Sequence, residues 1–247
     1  MARICGDSFV EFVGMKALGR LDWPSLESSL WERGYAASPA PVLSADDCRS
    51  LIALYDDDAR FRSRIDMARF RFGVGEYKYF ANPLPPLVSE LREQLYPPLA
   101  AVANRWMEAL GERDRYPDSL RAFLSRCAAR GQKKPTSLLL RYEAGGYNCL
   151  HQDIYGEVAF PLQVVVFLSR PGADYDGGEF LLVEQRPRAQ SMGDIVPAQQ
   201  GGLAIFTTRI RPVRGARGYY RVQMRHGVSR VHRGVRVTLG IIFHDAK

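Results

Sequence analysis

The sequence predicts an α+β protein, a double-stranded β-helix (jelly-roll) core with N-terminal helices packed on one of its sheets. Helical periodicity is confined to the part before about residue 130. From Thr136 onward, short apolar runs recur between Gly, Pro and Asp clusters with no helical pattern among them, as in an antiparallel sandwich or barrel. The chain has 247 residues, 46% hydrophobic and 25% charged, which is enough for a full core of ordinary globular composition.

Residues 24–33, PSLESSLWER, predict a first helix, with Pro24 in its first turn and Gly34 as its stop. A short extended piece runs through Pro39 and Pro41. Ser44 then opens a second helix, with Leu51, Ile52 and Leu54 on its buried side. Strands are expected across residues 65–80, around FRFGVGEYKYF. The glycines there form no dinucleotide loop, because no helix pattern opens on them. Leu87, Leu91, Leu95, Leu99, Val102 and Trp106 mark a long helix over residues 86–110, which Pro97-Pro98 must kink or divide. Another helix runs from about Asp118 to Ala129. The strand runs follow: SLLLRY, FPLQVVVFLS, EFLLVE, GLAIFTT, GYYRVQMRHGVS and VRVTLGIIF. This divides the chain into an N-terminal helical segment, 1–60, and a jelly-roll domain, 61–247, that includes supporting helices at about 86–129. No internal repeat is present.

No apolar run reaches membrane-spanning length. The stretch MARICGDSFVEF carries an early acid and no long apolar core, so a secretory signal is not expected and the expected location is cytoplasmic. Cys5, Cys48, Cys127 and Cys149 are widely spaced, without a CxxC pair, and read as reduced small hydrophobes.

The net charge of +7 is unevenly spread. From Ile195 to His244 there is no Asp, Glu or Lys, yet the stretch holds nine arginines, Arg209 through Arg236. Two readings stand: a basic face for phosphates or another acidic partner, and an ordinary Arg-rich surface.

One strand-like run ends in His151-Gln152-Asp153, just past a glycine-rich bend. His151 and Asp153, two apart, would share a face on one strand. In GYYRVQMRHGVS, His226 has the parity of Val222 and Met224, so it should point inward, where a buried imidazole needs a partner. Two imidazoles and a carboxylate on one side of a metal leave three positions open, the arrangement suited to Fe(II) and oxygen. In VRVTLGIIF, Arg236 and Thr238 share one face and Val235, Val237, Leu239 and Ile241 the other. An arginine beside a hydroxyl makes a clamp for a carboxylate.

These residues resemble the Fe(II)/2-oxoglutarate-dependent dioxygenases, through HQD at 151–153, His226, and Arg236 at H-x9-R spacing. The pattern Y-x2-G-x4-LHQD from Tyr142 is similar to that of AlkB-type nucleic-acid dealkylases. DGGEF at 176–180, GLAIF at 202–206 and the ten-residue offset to the arginine are similar to the prolyl-hydroxylase branch; AlkB-type enzymes place that arginine farther on. FRSRIDMARFRFGVGEYKYF, LLLRYEAGGYNCLHQDIYGEVAFPLQ, GGEFLLVEQRPRAQS and MRHGVSRVHRGVRVTLGIIFHDA together resemble a bacterial 2OG-Fe(II) oxygenase family described as acting in oxidative repair of alkylated DNA.

The resemblance implies that His151, Asp153 and His226 bind Fe(II). It implies that Arg236, assisted by Tyr142 and Thr238, holds the distal carboxylate of 2-oxoglutarate, with O2 as the other substrate. It implies hydroxylation of a C–H bond, with oxidative dealkylation of damaged bases as the expected activity and nucleic acid as the partner. The rivals are hydroxylation of a protein side chain or small molecule, and a non-catalytic cupin-like binding domain.

Other residues keep two readings each. Tyr142 serves the pocket or the barrel core; Asn148 and Gln163 line the pocket or make structural hydrogen bonds. Residues 184–191, EQRPRAQS, form a solvated loop or a substrate-facing one at the barrel mouth. Arg69 and Arg71, alternating with Phe70 and Phe72, stack on bases or belong to a half-buried strand. His232 is expected in an exposed loop and His244 in a structural role.

Overall fold

The computed structural model describes residues 18–247. Cys5 and the MARICGDSFVEF stretch lie outside the described residues. Among the described residues, four α-helices, α1 (Trp23–Arg33), α2 (Ala45–Ala53), α3 (Pro86–Ala109) and α4 (Leu120–Ala129), accompany fourteen strands. The strands are β1 (Tyr35–Ala37), β2 (Phe61–Asp66), β3 (Gly73–Val74), β4 (Glu76–Phe80), β5 (Leu138–Glu143), β6 (Tyr147–His151) and β7 (Leu162–Phe167). They continue with β8 (Tyr175–Gly177), β9 (Phe180–Gln185), β10 (Met192–Val196), β11 (Leu203–Thr207), β12 (Ile210–Gly215), β13 (Gly218–Val228) and β14 (Val231–Ile241).

The helix ends follow capping chemistry. Asp22 accepts from the Ser25 N–H at 3.2 Å, and Gly34, at φ 79°, closes α1 with its N–H on the Leu30 carbonyl. Ser44 and Asp47 form a reciprocal capping box at the start of α2. Ser119 caps α4. Of the two outcomes expected at Pro97-Pro98, a kink or a division, division does not occur: α3 runs unbroken through both prolines. Two missing N–H groups weaken the ladder there, but eleven residues of this helix are buried and hold it together. No described helix is long and apolar enough to cross a membrane.

The strands form two antiparallel sheets. The larger runs β1-β11-β7-β14-β5-β4-β2, with β8 also paired to β14. The smaller runs β10-β9-β13-β6-β3, with β12 also paired to β13. This is the jelly-roll expected from the sequence.

The pleat assigns each strand two jobs. On β14, Val237, Leu239 and Ile241 pack towards the helices, among Leu91, Leu95, Tyr96, Leu99 and Trp106. Each aliphatic side chain buried this way contributes about 1.5–3 kcal/mol. Arg236 and Thr238 have the opposite parity and face the interior between the sheets. On β7, Val164 and Val166 join the helical core, while Val165 and Phe167 join the inter-sheet core. Gln163 has the inward parity.

The strands β8, β10 and β12 went unread in the sequence; they are short, polar or glycine-bearing. The region around FRFGVGEYKYF is not continuous strand. Met67–Phe70 is a 3-10 turn, and Arg71 at φ 60° turns the chain into the two-residue β3. His232 lies in strand β14, exposed, and not in a loop. The EQRPRAQS run is not one loop either. Glu184 is a buried strand residue paired with buried Arg211, and only residues 185–191 are exposed.

Candidate metal centre and its cavity

His151 is the last residue of β6, and β13 brings His226 directly opposite it in register. Asp153 stands in the loop just past β6, so the two HQD ligand candidates do not share one strand as expected. The three side chains nevertheless converge, with one donor atom from each lying within 4.8 Å of the others. His226 Nε2 is 3.2 Å from Asp153 Oδ2, and His151 Nε2 is 3.5 Å from Asp153 Oδ1.

Neighbours fix this arrangement. The His151 Nδ1–H donates to the Cys149 carbonyl at 2.7 Å. A carbonyl can only accept, so the proton sits on Nδ1 and the Nε2 lone pair faces Asp153. The Tyr155 hydroxyl donates to Asp153 Oδ1 at 2.7 Å, and the Gln163 amide donates to Asp153 Oδ2 at 3.0 Å. Phe206 packs edge-on against His226, ring centroids 4.8 Å apart. His226 is 6% exposed, and its Nδ1 has no partner.

The electrostatics follow from burial beside one carboxylate. Burial opposes ionisation of Asp153, but the two imidazoles outweigh it and hold its carboxyl well below the usual range. Burial, joined by the neighbouring His151, keeps His226 below the ordinary histidine value. For His151, burial is outweighed by Asp153, and the value is raised.

A cavity of about 390 Å³ opens from these residues. Arg236, Thr238, Tyr142, Asn148 and Gln163 line it, with apolar walls from Leu138, Leu140, Val165 and Phe180. Arg236 is 2% exposed, forms no ion pair among the described residues, and leaves its Nε without a partner. Its guanidinium lies 5.5 Å from the Tyr142 ring centre and 6.0 Å from that of Tyr175. A buried unpaired cation is costly unless an anion joins it.

The residues present therefore fit both absent groups. Two imidazole nitrogens and a carboxylate suit Fe(II), and a buried arginine facing the same cavity suits the carboxylate of 2-oxoglutarate.

The open alternatives resolve at several positions. Tyr142 is both a core residue and a cavity wall, with its oxygen accepting from Asn148 Nδ2 at 3.3 Å. Asn148 and Gln163 likewise line the cavity and hydrogen-bond within it. His244 is buried outside the donor cluster, and its Nδ1 accepts from the Phe160 N–H at 3.2 Å. Cys48 and Cys127 are buried thiols, but Cys149 is exposed at the cavity mouth rather than a small core hydrophobe.

The arginine-rich stretch does not form one surface. Arg211 and Arg236 point inward, Arg221 pairs with Glu112, and Arg233 pairs with Asp176. Arg209, Arg214, Arg217 and Arg225 are exposed and form no ion pair among the described residues.

Sequence reasoning missed Tyr155 and Tyr175. Tyr155 repeats the two-residue step from Asp153, the same signal that joined His151 to Asp153. Tyr175 immediately precedes the DGGEF turn.

A family model named Oxygenase-NA, described as "Oxygenase, catalysing oxidative methylation of damaged DNA", matches residues 75–246. The uncharacterized protein Rv2227 of Mycobacterium tuberculosis strain H37Rv is 50% identical over 167 residues, covering 68% of this chain and 72% of that one. Among solved structures, a Pseudomonas putida prolyl-4-hydroxylase aligns with TM-score 0.52 and 18% identity, covering 91% of this chain and 99% of that chain. A prolyl 4-hydroxylase of Phytophthora capsici aligns with TM-score 0.56 and 16% identity, covering 98% of this chain and 68% of that chain. At such identities these structures speak for the fold alone.

Proposed function

The chain belongs to this oxygenase family, and from that premise we propose that it is an Fe(II)- and 2-oxoglutarate-dependent dioxygenase that dealkylates damaged nucleic acid bases. One observation carries the oxygenase chemistry. The His151, Asp153 and His226 donors meet at a cavity that also holds the unpaired guanidinium of Arg236. The family's description in terms of damaged DNA supports the substrate class.

When bound, iron and 2-oxoglutarate supply the oxidation: O2 is consumed, 2-oxoglutarate leaves as succinate and CO2, and one oxygen atom enters a substrate C–H bond. The chain's own residues do the rest. His151, Asp153 and His226 hold the metal and leave one side of it open. Arg236 takes the distal carboxylate, with the Thr238 hydroxyl and the Tyr142 phenol on the same wall. Tyr155 and Gln163 keep the Asp153 oxygens in place. The apolar walls exclude water from the reacting carbon. On an N-methylated base, the hydroxymethyl product releases formaldehyde and restores the base.

Succinate and formaldehyde are to be measured with iron and 2-oxoglutarate against methylated oligonucleotides, peptides and free amino acids. Methylated nucleic acid should stimulate both products. If none does while a peptide or amino acid raises succinate, the chain is a hydroxylase of another substrate class and the dealkylase reading is lost.

A further inference from the structure

Beside the cavity stand two exposed phenyl rings that the proposed chemistry does not use. Phe70 and Phe72 are 52% and 48% exposed, yet they lie nearly parallel, 20° apart, with centroids at 5.6 Å. Phe72 and the neighbouring Arg71 line the cavity that contains His151 and Asp153. Leu150, exposed on β6, lines it too, and exposed Ile154 adjoins Asp153 in the chain.

This rim is built firmly. The Phe72 N–H donates to the Met67 carbonyl at 3.0 Å, and Met67 is fully buried. The Phe72 carbonyl accepts from the Cys149 N–H at 2.8 Å, and Gly73 and Val74 pair with Asn148 and Tyr147. Arg71 adopts φ 60°, a conformation that L side chains rarely take, and this turn presents both rings on the outside. A backbone this constrained does not expose two aromatic rings by default, and apolar surface at a cavity mouth marks a ligand contact.

The charge around the rings selects the ligand. Arg69 and Arg71 flank them, exposed and without an ion pair among the described residues. Arg230 lies 4.9 Å over the ring of Tyr147, whose strand β6 pairs with the rim strand β3. Aromatic faces interleaved with unpaired arginines suit stacked bases on a phosphate backbone.

We propose that Phe70, Arg71 and Phe72 form a stacking platform that seats one unpaired nucleobase of a single strand at the cavity mouth, with Arg71 and Arg69 on its phosphates. A duplex would have to expose its base first, so single strands are preferred. This rests on the nucleic-acid reading above and adds the strand state and the residues that sense it.

The test uses the full chain with Fe(II) and 2-oxoglutarate under nitrogen, so that no turnover consumes the probe. The probe is a single-stranded oligonucleotide with one 2-aminopurine, compared with its duplex. Binding should quench the probe, and single strand should bind more tightly than duplex. Phe70→Ala and Phe72→Ala should each weaken binding about tenfold or more and relieve the quench, the order expected for losing one base–aromatic stack. Phe72→Trp should restore both, and Arg71→Ala should flatten the salt dependence. Metal titration of the Phe variants should match the unaltered protein, showing that the fold is intact. Tight binding with unchanged quench in both Phe→Ala variants overturns the platform and leaves the nucleic-acid reading standing. No binding by the unaltered protein overturns both.

Discussion

His226 Nε2 lies 3.2 Å from Asp153 Oδ2, one atom from the strand β13 and the other from the loop past β6. Among the described residues, His151, Asp153 and His226 form the one cluster whose donor atoms could share a metal ion. Removing one of three ligands should cost more than the roughly 10–100-fold that losing an outer-sphere partner costs. Asp153→Ala and His226→Ala should therefore lower Co(II) or Fe(II) affinity by at least about 100-fold in calorimetric titration. Unchanged affinity in both would mean that the metal sits elsewhere.

Gln163 and Tyr155 each donate one hydrogen bond to Asp153. Burial, then Asp153 itself, holds the Tyr155 phenol well above its ordinary value, so it remains a donor throughout the working pH range. Tyr155→Phe and Gln163→Leu should each weaken metal binding about 10–100-fold. They should also shift the Co(II) absorption bands, a readout that a purely structural loss would not move.

Arg236 is a buried cation that forms no ion pair among the described residues, its guanidinium near the rings of Tyr142 and Tyr175. Its partner must arrive with the cosubstrate. Arg236→Gln should raise the KM for 2-oxoglutarate about 10–100-fold, as charged hydrogen bonds contribute about 1.5–3 kcal/mol. Arg236→Lys should recover only part of this, because an ammonium cannot make the two parallel bonds of a guanidinium. Metal affinity without 2-oxoglutarate should stay the same in both variants.

Much of this site was legible because strand parity carries over long distances. Val222 and Met224 placed His226 inward, and Val237 and Leu239 placed Arg236 on the opposite face, before any pairing was known. The same parity on β7 would have pointed Gln163 inward beside Val165, had the run not been apolar on both faces. What stayed hidden depends on contacts between elements. The 3-10 turn at Met67 turns an apparent arginine–phenylalanine alternation into a paired-ring rim, because Met67 is anchored by packing that no local pattern reveals. Glu184, which ends the EFLLVE run and opens EQRPRAQS, could not be read as buried because its partner Arg211 comes from another strand.

That ion pair has a consequence of its own. Glu184 and Arg211 are both nearly fully buried, and Arg211 also donates to the Trp31 carbonyl at 2.9 Å, linking the smaller sheet to α1. Removing one partner leaves an uncompensated buried charge, which costs about 3–5 kcal/mol. Glu184→Gln should thus lower the urea midpoint markedly. The double change Glu184→Leu with Arg211→Met should recover most of the loss, and a double variant no more stable than the single one would argue against the pair as the cause.

His244 gives the fold a pH dependence whose sign follows from its burial. Its ring is 1% exposed, its Nδ1 accepts from the Phe160 N–H, and burial lowers its pKa to about 4. The unfolded chain would protonate this imidazole near its ordinary value of 6.5, while the folded chain refuses the proton until far lower pH. Above pH 6.5 both states are neutral and the full stability is present. As the pH falls from 6.5 towards 4, the unfolded state gains a proton that the folded state lacks, and stability drops by on the order of 3 kcal/mol. Below about 4 both states are charged and the loss from this residue levels off. His244→Asn keeps an acceptor for the Phe160 N–H and cannot titrate, so the stability gap between the two proteins should narrow steadily from pH 7 to pH 4.5 in urea melts. Parallel curves would show that the proton enters the folded state as easily as the unfolded one, and that the ring is less sealed than its packing against Phe160 requires.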